Sequence, residues 1–223
     1  MPRPRRTFKR TWRDVRRKLT PTPQLTGRNH EIASRLLLDV ARLCDEHDID
    51  YAIDSGTLLG IAREGDLIPW DNDLDITMPA ASVKRFLEIV PQIAARGWRV
   101  SRIHTMQNDD LAWKKGATRS IKVRNHHFPR IRIGRGRITM DIFITYPHEE
   151  YVWWVMLGKV CRISAHHFAG HERLPFQGYD LRAPRDYETM LAHVFGENWR
   201  IPDRDYHPPT QDGSIVRGVY DRE

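Results

Sequence analysis

Three aspartates, Asp73, Asp75 and Asp141, are the residues whose type and spacing point most directly to chemistry. Asp73 and Asp75 alternate with the apolar Leu74 and Ile76, so in an extended strand both carboxylates project from one face. Two carboxylates held side by side repel each other unless a cation lies between them. Because hard oxygen ligands favour Mg²⁺ or Mn²⁺, the pattern predicts a metal-binding strand.

The third aspartate, Asp141, lies in a second predicted strand, residues 138–145. Apolar residues alternate along that strand, which places Asp141 on the opposite face from them. A lone acid inside such a strand is costly unless it has a partner. We therefore expect a metal shared with Asp73 and Asp75, and we take the three aspartates together as the candidate catalytic and metal-binding residues.

Candidate phosphate-binding residues accompany these acids. Gly56 and Thr57 begin a predicted helix, and a helix N-terminus is a ready site for phosphate. The planar fork of Arg63 suits phosphate oxygens, with an ordinary surface arginine as the alternative. Lys122 and Arg124 share one face of a predicted strand, where they either reach the substrate or are simply solvated.

Two further acids, Asp54 and Asp71, are predicted to support the site from just outside the metal-binding residues. Asp54 either orients the turn at Gly56 or caps the end of a strand. Asp71 is expected to lie behind the metal ligands.

Histidines recur at five positions that could suggest a second metal site: His126, His127, His166, His167 and His171. Neither nearby cysteines nor the ligand spacing of a zinc site accompanies them. We interpret them as surface or acceptor-site residues.

The predicted elements are helices and short strands, which make an α+β fold in a single domain over residues 29–205. Helices are predicted from Asn29 to about residue 47, at 57–64, from Pro79 to Gly97 and from Pro184 to residue 195. Strands are predicted at 51–53, 73–77, 98–103, 120–123, 130–133, 138–145, 151–157 and 159–163, with hairpin turns at 134–136 and at Gly158. Residues 206–223 are predicted to be an extended tail.

The composition places the basicity of the chain in its first 28 residues. They contain ten Lys or Arg and one acid, a net charge of +9, whereas the remaining residues carry 26 bases and 28 acids, a net charge of −2. A flexible basic arm over residues 1–28 is predicted, either solvated or in contact with an anionic membrane surface. Contact with nucleic acid is less favoured, because the body of the chain is slightly acidic.

Two cysteines are too few for a disulfide framework, and no run of 18 apolar residues occurs. The chain is therefore expected in a reducing, cytoplasmic compartment, with peripheral contact to the inner membrane face through the arm.

Residues 54–75 resemble the signature of the LicD family, which also contains the fukutin-type proteins. The matching pattern reads Asp54-x-Gly56-Thr57-Leu58-Leu59-Gly60-x-x-Arg63-x-Gly65-x-x-Ile68-Pro69-Trp70-Asp71-x-Asp73-x-Asp75. Further matches in the family's order are Asp141-Ile142-Phe143, Pro184, Tyr187, Leu191, Phe195-Gly196, Asn198-Trp199 and Pro202. The chain departs from the pattern at Asn72, where many members carry an acid, and at Phe195, where a tyrosine is usual.

The resemblance implies a nucleotidyltransferase-like fold, a mixed β-sheet flanked by helices with the two acid strands adjacent. It also implies a magnesium-dependent phosphotransferase with a CDP-linked donor, such as CDP-choline or a CDP-polyol. The acceptor would be a sugar hydroxyl of a surface glycan such as lipopolysaccharide or teichoic acid, and CMP would be released.

Two alternatives stay open on the residues alone. The same fold could support a nucleotidyltransferase that leaves NMP on a small molecule or RNA. The second alternative is a non-catalytic protein that binds nucleic acid or an anionic surface through its arginine-rich arm.

Overall fold

The computed structural model describes residues 23–125, 138–206 and 211–218. Several predicted features lie outside these ranges: most of the basic arm, the strand at 130–133, the turn at 134–136, His126 and His127. Each helix within the described residues is too short or too polar to span a lipid bilayer.

A five-stranded mixed sheet forms the centre of the molecule. In spatial order its strands are β3 (Trp98–Thr105), β4 (Thr118–Asn125), β5 (Thr139–His148), β2 (Leu74–Pro79) and β1 (Ala52–Ile53). β2 and β5 run parallel, whereas the other neighbouring strands run antiparallel. The predicted α+β architecture is confirmed, and the two strands that carry the acids are neighbours, as expected.

One face of the central sheet is apolar and is covered by helices. In β5 the alternate residues Met140, Ile142 and Ile144 are fully buried, as a period of two predicts. They share one core with apolar side chains of α1 (Arg28–Glu46), α2 (Ser55–Glu64), α3 (Val83–Glu88) and α4 (Val90–Ala95). The other face, on which Asp141 lies, is therefore free to carry polar groups.

A second layer rises from the far end of β5. There β5 pairs with β6 (Tyr151–Met156), and the layer continues through β7 (Lys159–Ser164) to β10 (Ile215–Gly218). The predicted hairpin around Gly158 is confirmed. Apolar side chains of β6 and β7 pack with Phe143 and with α5 (Tyr187–Phe195). Because Phe143 and Asp141 are two residues apart on one strand, this layer stands beside the acids.

One hairpin escaped sequence prediction, β8 (His171–Phe176) and β9 (Tyr179–Pro184). The first three residues of β8, from His171 to Arg173, are all polar and exposed, so the alternation that indicates a strand is missing where the hairpin begins. Polar contacts hold it to α1, since Arg182 pairs with Asp45 at 2.6 Å and Tyr179 donates a hydrogen bond to Asp45.

All four predicted helix starts differ from the structure, and α2 begins two residues before its predicted start. Gly27, rather than Asn29, occupies the cap position of α1, with a φ of 51° that glycine adopts without strain. Pro79 ends β2, and a 3₁₀ turn at Ala80–Ser82 precedes α3. Pro184 ends β9, where its missing N–H breaks no further strand pairing, and α5 begins three residues later.

Candidate active site

The register of the central sheet brings the three aspartates together. Asp75 on β2 lies directly beside Asp141 on β5, and Asp141 lies directly opposite Lys122 on β4. Asp73 immediately precedes β2, two residues before Asp75. The acid cluster (Asp73, Asp75 and Asp141) therefore spans two neighbouring strands and has a lysine at its border.

The start of α2 is fixed against the acid strand by two hydrogen bonds. The backbone N–H of Asp54 donates to the carbonyl of Asp75 at 3.1 Å, and the backbone N–H of Asp75 donates to Oγ1 of Thr57 at 2.9 Å. Thr57 is buried, so its hydroxyl holds the acid strand in place. The contact of Thr57 with substrate phosphate stays a prediction.

Asp54 caps α2 and is itself buried. Its Oδ1 accepts a hydrogen bond from the Ser55 N–H at 2.7 Å, and only 5% of the residue is exposed. Burial raises the pKa of Asp54 to about 6, and the charge of Asp212 adds to the rise, while the bond from Ser55 opposes it. The structure shows Asp54 as a helix cap, a role that the sequence did not predict, and its backbone also contacts the acid strand.

Asp71 lies against the first turn of the same helix. A Cβ built on Gly56 would approach Oδ2 of Asp71 to 2.2 Å, so no larger residue fits at Gly56 without displacing that carboxylate. Oδ1 of Asp71 accepts a hydrogen bond from the Asn72 N–H at 2.8 Å. The N-terminus of α2 thus already faces two carboxylates, Asp54 and Asp71, and the phosphate site predicted there stays a prediction.

The acid cluster carries more negative charge than its surroundings neutralise. Burial, and then the charges of Asp71 and Asp141, raise the pKa of Asp73 to about 7, although Lys122 lowers it. Burial, and then Asp73, raise the pKa of Asp75 well above its usual value. Ionising Asp73 and Asp75 together is therefore unfavourable in the folded protein, and a bound cation would favour it.

Lys122 supplies part of the missing positive charge. Its Nζ donates to Oδ2 of Asp141 at 2.6 Å. The other oxygen, Oδ1 of Asp141, is buried and has no hydrogen-bond partner within the described residues. One lysine therefore leaves a buried carboxylate oxygen unsatisfied, next to two further acids.

The cluster fits a hard divalent cation by its chemistry. All its donors are carboxylate oxygens, one of them is buried without a hydrogen-bond partner, and two of the carboxyl groups have raised pKa values. No group of three His, Cys, Asp or Glu side chains in residues 23–125, 138–206 and 211–218 has the geometry of a ready-made metal site. A bound metal is therefore a proposal for this chain.

Sequence reasoning missed two arginines on the same face of the sheet. Arg102 lies directly opposite Lys122, and Arg99 lies directly opposite Arg124. A register shift between Val100 and Arg102 brings two residues that are three apart onto one face. Strict alternation would have placed Arg99 and Arg102 on opposite faces of the sheet. Their shared face could be predicted only if the bulge were known beforehand.

Arg63 pairs with Glu64 rather than with the acid cluster or Lys122. Its guanidinium pairs with Glu64 at 2.7 Å, and its side chain is only 6% exposed. Among the described residues it makes no hydrogen bond or ion pair with the acid cluster. Its predicted grip on phosphate has no support from the contacts and stays a prediction.

Three of the five histidines noted above, His166, His167 and His171, lie in the described residues, and they do not form a metal site. His171 pairs with Asp50 at 2.5 Å, and Nδ1 of the buried His167 donates to the Arg185 carbonyl at 2.9 Å. His166 stacks edge-on against His167.

Comparison with known proteins places these residues within one matched region. The family model described as LicD/FKTN/FKRP, nucleotidyltransferase domain, matches residues 48–186, which include the whole acid cluster and Lys122. The match covers more than half of the chain.

Two curated relatives have specific names. The lipopolysaccharide cholinephosphotransferase LicD of Haemophilus influenzae is 34% identical over 144 residues, which are 63% of this chain and 53% of that protein. The human ribitol 5-phosphate transferase FKRP is 24% identical over 163 residues, 70% of this chain and 30% of that protein. The chain thus spans about half of the first relative and under a third of the second.

Among solved structures, ANT(2″)-Ia in complex with adenylyl-2″-tobramycin aligns with a TM-score of 0.41 and 16% identity, over 79% of this chain and 82% of that one.

Proposed function

Because the chain belongs to the LicD/FKTN/FKRP nucleotidyltransferase-domain family, we propose that it is a metal-dependent phosphotransferase. It transfers a phospho-alcohol, phosphocholine or a phospho-polyol, from a CDP-linked donor to a sugar hydroxyl of a cell-surface glycan. The observation that carries the proposal is the row in which Asp75, Asp141 and Lys122 lie side by side on three strands.

In this proposal Asp73, Asp75 and Asp141 hold Mg²⁺ or Mn²⁺. The bound ion would neutralise charge on the donor's phosphates and on the departing CMP. The unpartnered Oδ1 of Asp141 and the raised pKa values of the other two carboxyl groups support this assignment.

The chain's own residues contribute position and charge. The acceptor hydroxyl oxygen forms a bond to the phosphorus that bears the alcohol, and the bond from that phosphorus to the bridging oxygen breaks, so that CMP departs with the bridging oxygen. The hydroxyl proton passes to Asp141 or to water. Lys122 and Arg124 bind non-bridging phosphate oxygens, and Asp54 and Thr57 keep the acid strand at the start of α2.

The acceptor and the location are proposed from the relatives. The name of the Haemophilus protein specifies lipopolysaccharide and choline phosphate, and that of the human protein specifies ribitol 5-phosphate. We propose a glycan acceptor of this general class, with the basic arm in contact with an anionic membrane surface.

The proposal is tested by measuring CMP release from each of three CDP-linked donors. CDP-choline, CDP-ribitol and CDP-glycerol are each incubated with Mg²⁺, a glycan acceptor and the protein, and released CMP is measured. We expect CMP from one donor, loss of at least about 100-fold in rate with Asp73→Asn, and no change with Glu88→Gln, an exposed acid on α3.

The proposal would be overturned if no donor released CMP and if Asp73→Asn bound the donors as tightly as the wild type does. The nucleotidyltransferase alternative predicts a different product. Pyrophosphate would then appear with CTP, and labelled nucleoside monophosphate would remain on the acceptor.

A further inference from the structure

Two like-charged pairs lie directly across β3 and β4. Arg102 is opposite Lys122, and Arg99 is opposite Arg124. Like charges directly opposite each other on neighbouring strands destabilise a sheet. We refer to Arg99, Arg102, Lys122 and Arg124 as the cation strip.

The cation strip continues the row of acids across the sheet. From β2 to β3 the row reads Asp75, Asp141, Lys122 and Arg102, so negative charge gives way to positive charge at one ion pair. A bound cation would relieve the repulsion between the two acids, and an anion would relieve the repulsion within the basic pairs in the same way.

Among the described residues, a carboxylate pairs with only one member of the cation strip, Lys122. Lys122 pairs with Asp141, whereas Arg99, Arg102 and Arg124 have no carboxylate within ion-pair distance in the described part of the chain. Arg102 and Arg99 are exposed, so a ligand can reach them.

The local backbone is shaped to make this arrangement. The register shift at Ser101 rotates Arg102 onto the face of Arg99, and Oγ of Ser101 donates to the Lys122 carbonyl at 3.1 Å, which secures the bulge. His104, two residues further along β3, lies near the same cations. Partial burial lowers its pKa, and the positive charges of Arg119, Arg102 and Lys122 lower it further.

We propose that the cation strip is a phosphate-binding subsite, in which Arg99 and Arg102 of the edge strand extend the surface formed by Lys122 and Arg124. Arginine matches phosphate because its planar fork can donate two parallel hydrogen bonds to two oxygens. The phosphate belongs either to the diphosphate of the donor or to a phosphorylated acceptor. Only this choice of bearer rests on the proposed function.

Pyrophosphate binding tests the subsite without turnover. The affinity is measured by calorimetry in EDTA at low ionic strength, so that neither a metal nor a reaction contributes. We expect Arg102→Gln to weaken binding about tenfold and Arg99→Gln to do likewise, since each removes a charge-assisted contact. Lys84→Gln, which removes an exposed lysine from α3, is the matched control and should leave the affinity unchanged.

The melting temperature separates a ligand-binding role from a structural one. Without ligand, Arg102→Gln should leave the melting temperature unchanged or raise it by about 1–3 °C, because one repulsive pair is removed. Arg102→Lys should retain part of the pyrophosphate affinity. Wild-type affinity in both glutamine variants, or weaker binding accompanied by a lower melting temperature, would overturn the subsite.

Steady-state kinetics then identify the bearer of the phosphate. A KM increase for the CDP-linked donor in Arg102→Gln, with kcat nearly unchanged, assigns the strip to the donor. An increase confined to the acceptor assigns it to a phosphorylated acceptor, and no change in either KM contradicts the proposal. If no donor yields CMP at all, the proposed function fails, whereas the pyrophosphate result still decides the subsite.

Discussion

Asp73→Asn should stabilise the metal-free protein at alkaline pH while it abolishes the response to magnesium. The pKa of Asp73 is raised from 3.8 to about 7, first by burial and then by Asp71 and Asp141. Between these values the folded protein retains a proton that the unfolded chain has released. The contribution of Asp73 to stability is therefore complete below pH 3.8 and is lost as the pH rises through 7.

The magnitude follows from the size of the shift. Three pKa units correspond to about 4 kcal/mol, which is an upper limit because Lys122 can move toward Asp73 and water can enter. We expect about 2 kcal/mol, or a melting temperature about 4–8 °C higher for Asp73→Asn than for the wild type at pH 8 in EDTA. At pH 4.5 the two proteins should melt within about 2 °C of each other.

Differential scanning calorimetry at both pH values, with and without Mg²⁺, gives the four melting temperatures for each protein. Magnesium should raise the melting temperature of the wild type at pH 8 and leave that of Asp73→Asn unchanged. Glu88→Gln controls for the loss of any acid. If Asp73→Asn melts below the wild type at pH 8 in EDTA, the acid cluster is not strained by its own charge, and the reasoning for a cation there is refuted.

Further predictions concern the support of the site and the buried thiols. Gly56→Ala should reduce the rate of CMP release and lower stability by about 1–3 kcal/mol, because the new Cβ would clash with the carboxylate of Asp71. Gly170→Ala is the control and should change neither quantity, because a Cβ at that position would meet no atom within 4 Å. Thr57→Val should lower stability by about 1–3 kcal/mol, because a strand N–H loses its acceptor, and Thr57→Ser should restore it. Burial raises the pKa values of Cys44 and Cys161 to about 12. Iodoacetamide should therefore label these thiols at pH 8 only after unfolding, and rapid labelling of the native protein would contradict their burial.

The sequence was sufficient to predict the acid cluster, because its signals are local. Asp73 and Asp75 stand in one alternating segment, and Asp141 interrupts another, so period-two patterning alone puts each carboxylate on a polar face. That the two strands would be neighbours came from the family resemblance, and the parallel register of Asp75 with Asp141 confirms it.

The missed features depend on contacts between distant segments. The bulge at Ser101 is invisible to a period-two pattern, so Arg99 and Arg102 were not recognised as partners of Arg124 and Lys122. The position of the Asp71 carboxylate over Gly56 depends on how the loop after α2 folds back, which no local preference determines.

β3 is the outermost strand of the central sheet, since it pairs only with β4 in the described part of the chain. Its outer edge therefore presents backbone donors and acceptors to which another extended chain could add. Exposed arginines and a bulge are features that hinder such addition, and β3 carries both at Arg99, Arg102 and Ser101. The same side chains would then keep the protein monodisperse as well as bind phosphate. Concentrated stocks of the double variant Arg99→Gln/Arg102→Gln should consequently self-associate more readily than the wild type, which light scattering before each binding measurement would reveal.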